Sequence, residues 1–218
     1  MGIFVFCLAE GRELGFSSNV TPGLVEHFVR IFGEQARDRL KAWQDMVRSY
    51  QLSGDQHWEK LSDHTEREIE TGVNAFYNRV PFIDDLKHWG VEDYWATPAE
   101  MLASNGGDCE DYSIAKYFAL KEIGVPITHL RITYVKATKL NRAHMVLAYY
   151  PSSDAEPLIL DNLEGDIRLA SERPDLIPVY SFNDDDVWLA RTGERAGSPS
   201  QIRLWQGLLE KLEQEQRM

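Results

Sequence analysis

Apolar residues recur at three- and four-residue intervals through the first third of the chain. Thr21-Pro22 reads as a helix start, a capping side chain followed by proline at the first helical position. From there Leu24, Phe28, Ile31, Phe32, Leu40, Trp43, Met46, Val47 and Tyr50 keep helical spacing, with a break near Gly33. After a turn at Ser53-Gly54-Asp55, a second helix is predicted from about Trp58 to Asn78, ended by Pro81. The stretch from Phe82 to Gly107 reads as irregular. A third helix opens after Asn105-Gly106-Gly107-Asp108, carries Ile114, Tyr117, Phe118, Leu120 and Ile123 as its apolar face, and stops at Gly124 and Pro126. The period then changes. His129–Val135, His144–Tyr150 and Leu158–Asp161 read as three strands of an antiparallel meander, with a further strand near Pro178–Phe182. Ser198-Pro199 opens a closing amphipathic helix. Helices first and strands afterwards predict an α+β domain rather than a doubly wound sheet.

The composition is that of an ordinary globular chain, with 43% hydrophobic and 27% charged residues among 218. Twenty-three basic residues against 35 acidic ones leave a net charge of −12, and no basic run offsets it locally. That field repels phosphate backbones and argues against nucleic acid as a partner. A carboxylate surplus suits a cationic partner or a bound metal ion. The first nine residues, MGIFVFCLA, are too short to span a bilayer and lack a basic leader. They resemble the end of a signal peptide, with small residues where a signal peptidase reads; a buried first strand is the alternative. Export is the expectation, with residues 10–218 forming one domain: a helical part at 21–80, a second part at 93–190 and a closing helix at 198–216.

Of two cysteines, Cys7 and Cys109, only the second survives removal of the first nine residues. Cys109 follows Gly106-Gly107-Asp108 at the first turn of the third helix. Free backbone N–H groups and the positive end of the helix dipole lower a thiol pKa there, and the same groups can hold an oxyanion. A reactive thiol needs a base, and the base an orienting partner. Among six histidines, His27, His57, His64, His88 and His129 stand in helical or polar surroundings, whereas His144 opens the apolar run MVLAYY. If the loop at Ser152–Glu156 joins two antiparallel strands, Tyr150 pairs near Pro157 and Val146 lies opposite Asp161. His144 and Asp161 then share a face as diagonal neighbours roughly 7 Å apart at the backbone. A one-residue slip would separate them. Two polar residues that merely end strands are the alternative.

The segments GGDCEDY, AHMVL and LILDN, in that order, resemble the bacterial transglutaminase-like cysteine proteases of the LapG type, which are periplasmic. The similarity extends to VNAFYN, DYWATPAEML and PVYSFN, and covers about residues 22–190. It implies a papain- or transglutaminase-like core with Cys109 as nucleophile, His144 as general base and acid, and Asp161 as its orienter.

Asp108, Glu110 and Asp111 set three carboxylates beside that thiol, and like charges nearby would oppose its ionisation. A bound hard cation would relieve this, and oxygen ligands suit Ca²⁺, although a solvated acidic turn fits the spacing equally. The resemblance favours the ion, because LapG-type proteases depend on calcium and these three residues fall on their calcium motif. Asp184-Asp185-Asp186 reads as a solvated turn. Trp95 either walls the site or donates its indole N–H to an oxyanion. The resemblance also implies a substrate, the amino-terminal region of a large surface adhesin whose release disperses a biofilm. It implies a partner too, a LapD-type inner-membrane receptor for cyclic-di-GMP. A transglutaminase or amidase using the same residues with an amine acceptor is the second reading, and a non-enzymatic module with a relic site the third.

Overall fold

The computed structural model describes residues 20–52 and 56–218. The expected leader at residues 1–9 and the turn at 53–55 lie wholly outside the described residues. Seven α-helices and seven strands follow in the described chain. Helix α1 (Pro22–Phe32) is started by Thr21, whose side chain accepts the Leu24 N–H at 3.1 Å, and is ended by Gly33 at φ 83°. The predicted break near Gly33 therefore falls there, and α2 (Gln35–Tyr50) resumes beyond it. The helix expected from Trp58 differs at its start. Trp58–Lys60 form a separate 3-10 turn, and α3 (Asp63–Tyr77) begins only after Ser62, which accepts the Thr65 N–H. A good capping side chain sets that boundary more firmly than continued apolar spacing.

The stretch read as irregular contains two short helices, α4 (Asp85–His88) and α5 (Pro98–Ser104). The latter is held by a reciprocal Thr97–Glu100 capping box and closed by Asn105 in the left-handed conformation. Helix α6 (Cys109–Ile123) is buried along almost its whole circumference from Asp111 to Leu120 rather than on one face. It lies at the centre, between the sheet and the layer of α2, α3 and α5. Trp43, Tyr77, Tyr117, Phe118 and Trp205 fill the core around it.

The strands are β1 (Leu130–Ala137), β2 (Arg142–Tyr149), β3 (Leu158–Leu160), β4 (Arg168–Leu169), β5 (Leu176–Phe182), β6 (Val187–Leu189) and β7 (Arg195–Gly197). They form one antiparallel sheet in the order β4-β3-β2-β1-β5-β6-β7. Four of them, β3, β4, β6 and β7, span three residues or fewer and are too short to show an alternating pattern by themselves. The β2–β3 register pairs Leu147 with Leu160 and Tyr149 with Leu158, the alignment the loop length predicts. The closing helix α7 (Arg203–Gln216) starts later than Ser198-Pro199, which instead open a 3-10 turn. The whole arrangement is the expected α+β type: a central helix packed on β2 of an antiparallel sheet.

Candidate active site

Two glycines let the chain reach Cys109. A Cβ on Gly106 would sit 2.7 Å from Ile83 Cδ1, and one on Gly107 would sit 2.7 Å from Asp111 Oδ2. No larger residue fits this close approach without displacing its neighbours. The Asp111 carboxylate accepts the Asp108 N–H at 3.1 Å and the Ala96 N–H at 2.7 Å, tying the 93–97 segment to the start of α6. Cys109 is half-buried and free, with its thiol donating to Glu110 Oε2 at 3.0 Å and the Met145 backbone N–H donating to its sulfur. Burial, reinforced by Glu110 and Asp108, pushes this thiol far up.

Across the cleft His144 is 1% exposed on β2. Its Nε2 bonds to Asp161 Oδ1 at 2.7 Å, and its Nδ1 is buried without a partner. The sequence register thus brings His144 and Asp161 together as predicted. The carboxylate of Asp161 is fully engaged. Oδ1 also accepts the Leu163 N–H at 3.1 Å, and Oδ2 accepts Arg173 Nη2 at 2.8 Å. Burial alone would raise this group; the hydrogen bonds from His144, Leu163 and Arg173 outweigh it and hold Asp161 at about 2. The Asp161 carbonyl accepts from Asn78 Nδ2 at 2.8 Å, and the Gly165 carbonyl from Asn74 Nδ2 at 3.0 Å, so α3 clamps the loop that carries the acid.

Cys109 and His144 line one cleft of about 460 Å³ with Asp93, Trp95, Glu110, Tyr134, Met145, Tyr180 and the Ile202–Leu204 segment. Trp95 lines the cleft and stacks on Phe182 at 5.9 Å between centroids, 13° from parallel. His27, His57, His64, His88 and His129 do not line this cleft. Asp184 and Asp186 pair with Lys121 and Arg195, so that acidic run is an ion-paired turn.

Asp108, Glu110 and Asp111 are joined by two acids that sequence patterning missed. Carboxylate oxygens of Asp85, Asp108 and Asp111 lie within 4.8 Å of one another, as do those of Asp85, Asp93 and Glu110. Asp85 arrives because its carboxylate accepts the Tyr94 N–H across the loop after α4; only the density of acids from Asp84 to Asp93 hinted at it. Among the described residues no Lys, Arg or His forms an ion pair with any of these five acids. Oδ1 of Asp85 and Oδ1 of Asp108 are buried without partners. Burial pushes Asp85 up to about 6 and raises Asp108, Glu110 and Asp111. Hard oxygen donors converging without a counter-charge are the donor set of a Ca²⁺ site, and the residues fit that ion.

A free thiol at the amino terminus of a central helix shares a cleft with a histidine whose buried carboxylate partner follows β3, the set of groups a cysteine hydrolase requires. Residues 39–195 match the model of the bacterial transglutaminase-like cysteine proteinases (BTLCP), and the chain belongs to that family of cysteine proteases. Among solved structures it is similar to LapG of Legionella pneumophila, at 38% identity and a TM-score of 0.69 over 86% of this chain and 97% of that one. The calcium-bound form of that protein gives 39% and 0.70 over the same shares, and the EGTA-treated form 38% and 0.71. No protein of curated function matched the chain.

Proposed function

We propose that this protease is a calcium-dependent periplasmic endopeptidase with Cys109 as nucleophile, His144 as general base and acid, and Asp161 as its orienter. The observation that carries the reading is the thiol at the start of α6 sharing a cleft with the buried His144–Asp161 pair. With Nε2 tied to Asp161, His144 keeps Nδ1 for the thiol. The Cys109 thiolate attacks the scissile carbonyl, first-turn N–H groups of α6 hold the oxyanion, and His144 protonates the leaving amine. Water, deprotonated by the same imidazole, releases the acyl group. Asp85, Asp93, Asp108, Glu110 and Asp111 would hold the calcium ion, whose charge offsets the carboxylates beside the thiol. The pair of calcium-bound and EGTA-treated LapG structures supports that assignment.

The substrate is the amino-terminal region of a large surface adhesin, whose release disperses a biofilm. A LapD-type inner-membrane receptor for cyclic-di-GMP sequesters the protease when that messenger is abundant. No helix among the described residues is long and apolar enough to cross a membrane. The test is a gel assay with a purified adhesin amino-terminal fragment, run with wild type and Cys109→Ala, in calcium and in EGTA. One discrete cut, lost in the variant and in EGTA, is expected. Products heavier than the fragment would select the amine-transferring reading instead.

A further inference from the structure

A carboxylate that orients a histidine needs something to orient the carboxylate, and in this fold a second charged pair stands directly behind it. Arg173 follows the 3-10 turn after β4 and is 6% exposed, buried for so long and charged a side chain. Its Nη2 donates to Asp161 Oδ2 at 2.8 Å and to Asp175 Oδ2 at 3.1 Å, while its Nε donates to Asp175 Oδ1 at 3.1 Å. The guanidinium thus takes a two-pronged grip on Asp175, two residues along, and turns the second N–H of Nη2 to Asp161, while Nη1 is buried without a hydrogen-bond partner. A rigid fork held at two points fixes the direction of the third bond, which a flexible ammonium cannot do. Asp175 is itself held, its carbonyl accepting the Thr138 N–H at 2.8 Å and the Thr138 hydroxyl at 3.1 Å from the end of β1.

We infer that Arg173, aimed by Asp175, is a positioning residue for the reaction. The chain Asp175, Arg173, Asp161, His144 sets the plane of the Asp161 carboxylate and thereby the ring orientation and tautomer of His144. Without the guanidinium, Oδ2 of a 1%-exposed carboxylate loses its donor. The carboxylate can then rotate about its last torsion, a soft two-fold one. The charged groups that face Asp161 are His144 from β2, Arg173 from the segment after β4, and Lys116 from α6. Lys116 is fully buried with no hydrogen-bond partner at Nζ, which lies 5.8 Å from the centroid of the Tyr112 ring, and burial lowers it to about 7, so it gives Asp161 no direction. Orientation falls to Arg173.

The inference rests on the triad reading proposed above, so the experiment separates the two. The calcium-loaded protein, labelled with ¹⁵N-histidine, is compared as wild type, Arg173→Gln, Arg173→Lys, Asp175→Asn, Asp161→Asn and His144→Ala. Three quantities are read: the hydrogen-bonded Nε2–H resonance of His144, the rate of Cys109 alkylation by iodoacetamide at pH 7, and the melting curve. His144→Ala assigns the resonance by removing it. Arg173→Gln is expected to melt cooperatively, lose the slowly exchanging resonance, and alkylate at least about tenfold more slowly, the scale of a lost outer-shell orienter. Arg173→Lys restores charge without the fork and recovers only part of the rate. Asp175→Asn leaves all three bonding partners of the Asp161 side chain in place and slows alkylation by a smaller factor. An unchanged resonance and rate in Arg173→Gln overturn the inference. Should that variant not fold, the same wild-type result in Asp175→Asn overturns it. If Asp161→Asn and His144→Ala themselves alkylate at the wild-type rate, the triad reading falls, and Arg173 with it.

Discussion

Two sets of buried carboxylates flank the same cleft and live under opposite electrostatics. On the β2 side Asp161 is 1% exposed, with both oxygens engaged and one of them bound to a cation, and it is held at about 2. On the α6 side Asp85, Asp108, Glu110 and Asp111 crowd together without a counter-ion among the described residues, and burial raises all four. Burial cost is common to both. What differs is the number of donors aimed at each oxygen. A carboxylate whose charge is fully answered by its own protein is a fixed part of the machinery. A set whose charge is not answered is a place for something to bind.

The largest effect comes from breaking the answered side. Asp161→Asn should cut peptide cleavage by about 10²–10⁴-fold, because the amide no longer stabilises the imidazolium. Arg173 keeps its pair with Asp175, so the weakened charged hydrogen bond to it costs about 2 kcal/mol, read as a drop in melting temperature of about 4–8 °C. Next is the unanswered side: Asp108→Ala should abolish the calcium dependence of both melting and cleavage. In the wild type, calcium at 100 times its Kd should add about 2.7 kcal/mol, about 5–10 °C in a calorimetric melt. Loss of cleavage in Asp108→Ala with the calcium-induced melting shift intact would contradict the metal assignment.

A pH series separates the two sides within one molecule. Asp161 has a folded value below its ordinary 3.8, so its contribution is present above about 4 and is lost as pH falls toward 2. Asp85 has a folded value raised to about 6, so the folded state holds the proton longer and stability falls as pH rises from about 4 through 6. EGTA-treated protein should therefore lose stability as pH rises above about 4 in thermal melts. Saturating calcium should remove the share of that decline owed to these acids, leaving the share of Glu70 and Glu215, which burial raises to about 8 away from the site. The smallest effect is expected at the rim. Asp93 is exposed, and Asp93→Asn should weaken calcium binding by about tenfold, measured by calorimetry, without altering the acid limb.

What the sequence discloses and what it hides follow the same division. Cys109 was legible because glycines and a helix start surround it. The His144–Asp161 pair was legible because a short hairpin loop leaves one register that buries MVLAYY against PLIL, and both the pairing and the 2.7 Å contact follow from it. Local patterning is enough where the relation runs along one strand pair. Asp85 and Asp93 were hidden because a loop with no period brings them back onto α6 through the Tyr94 and Ala96 amides. Arg173 was hidden because the two-residue β4 before it shows no alternation. The break between Trp58 and Asp63 was misread because apolar spacing continues through it, while Ser62 sets the cap.

The comparison is tested most directly by titrating calcium into EGTA-stripped, dialysed protein at pH 6.5 in two buffers of different ionisation enthalpy. Binding at a single site should release about one proton, drawn from the carboxylates that burial keeps protonated. Asp161→Asn should leave the proton count unchanged, and Asp108→Ala should eliminate the heat. Calcium binding with no proton release, or no binding at all, would contradict the claim that the acids beside Cys109 are an unanswered charge awaiting a cation.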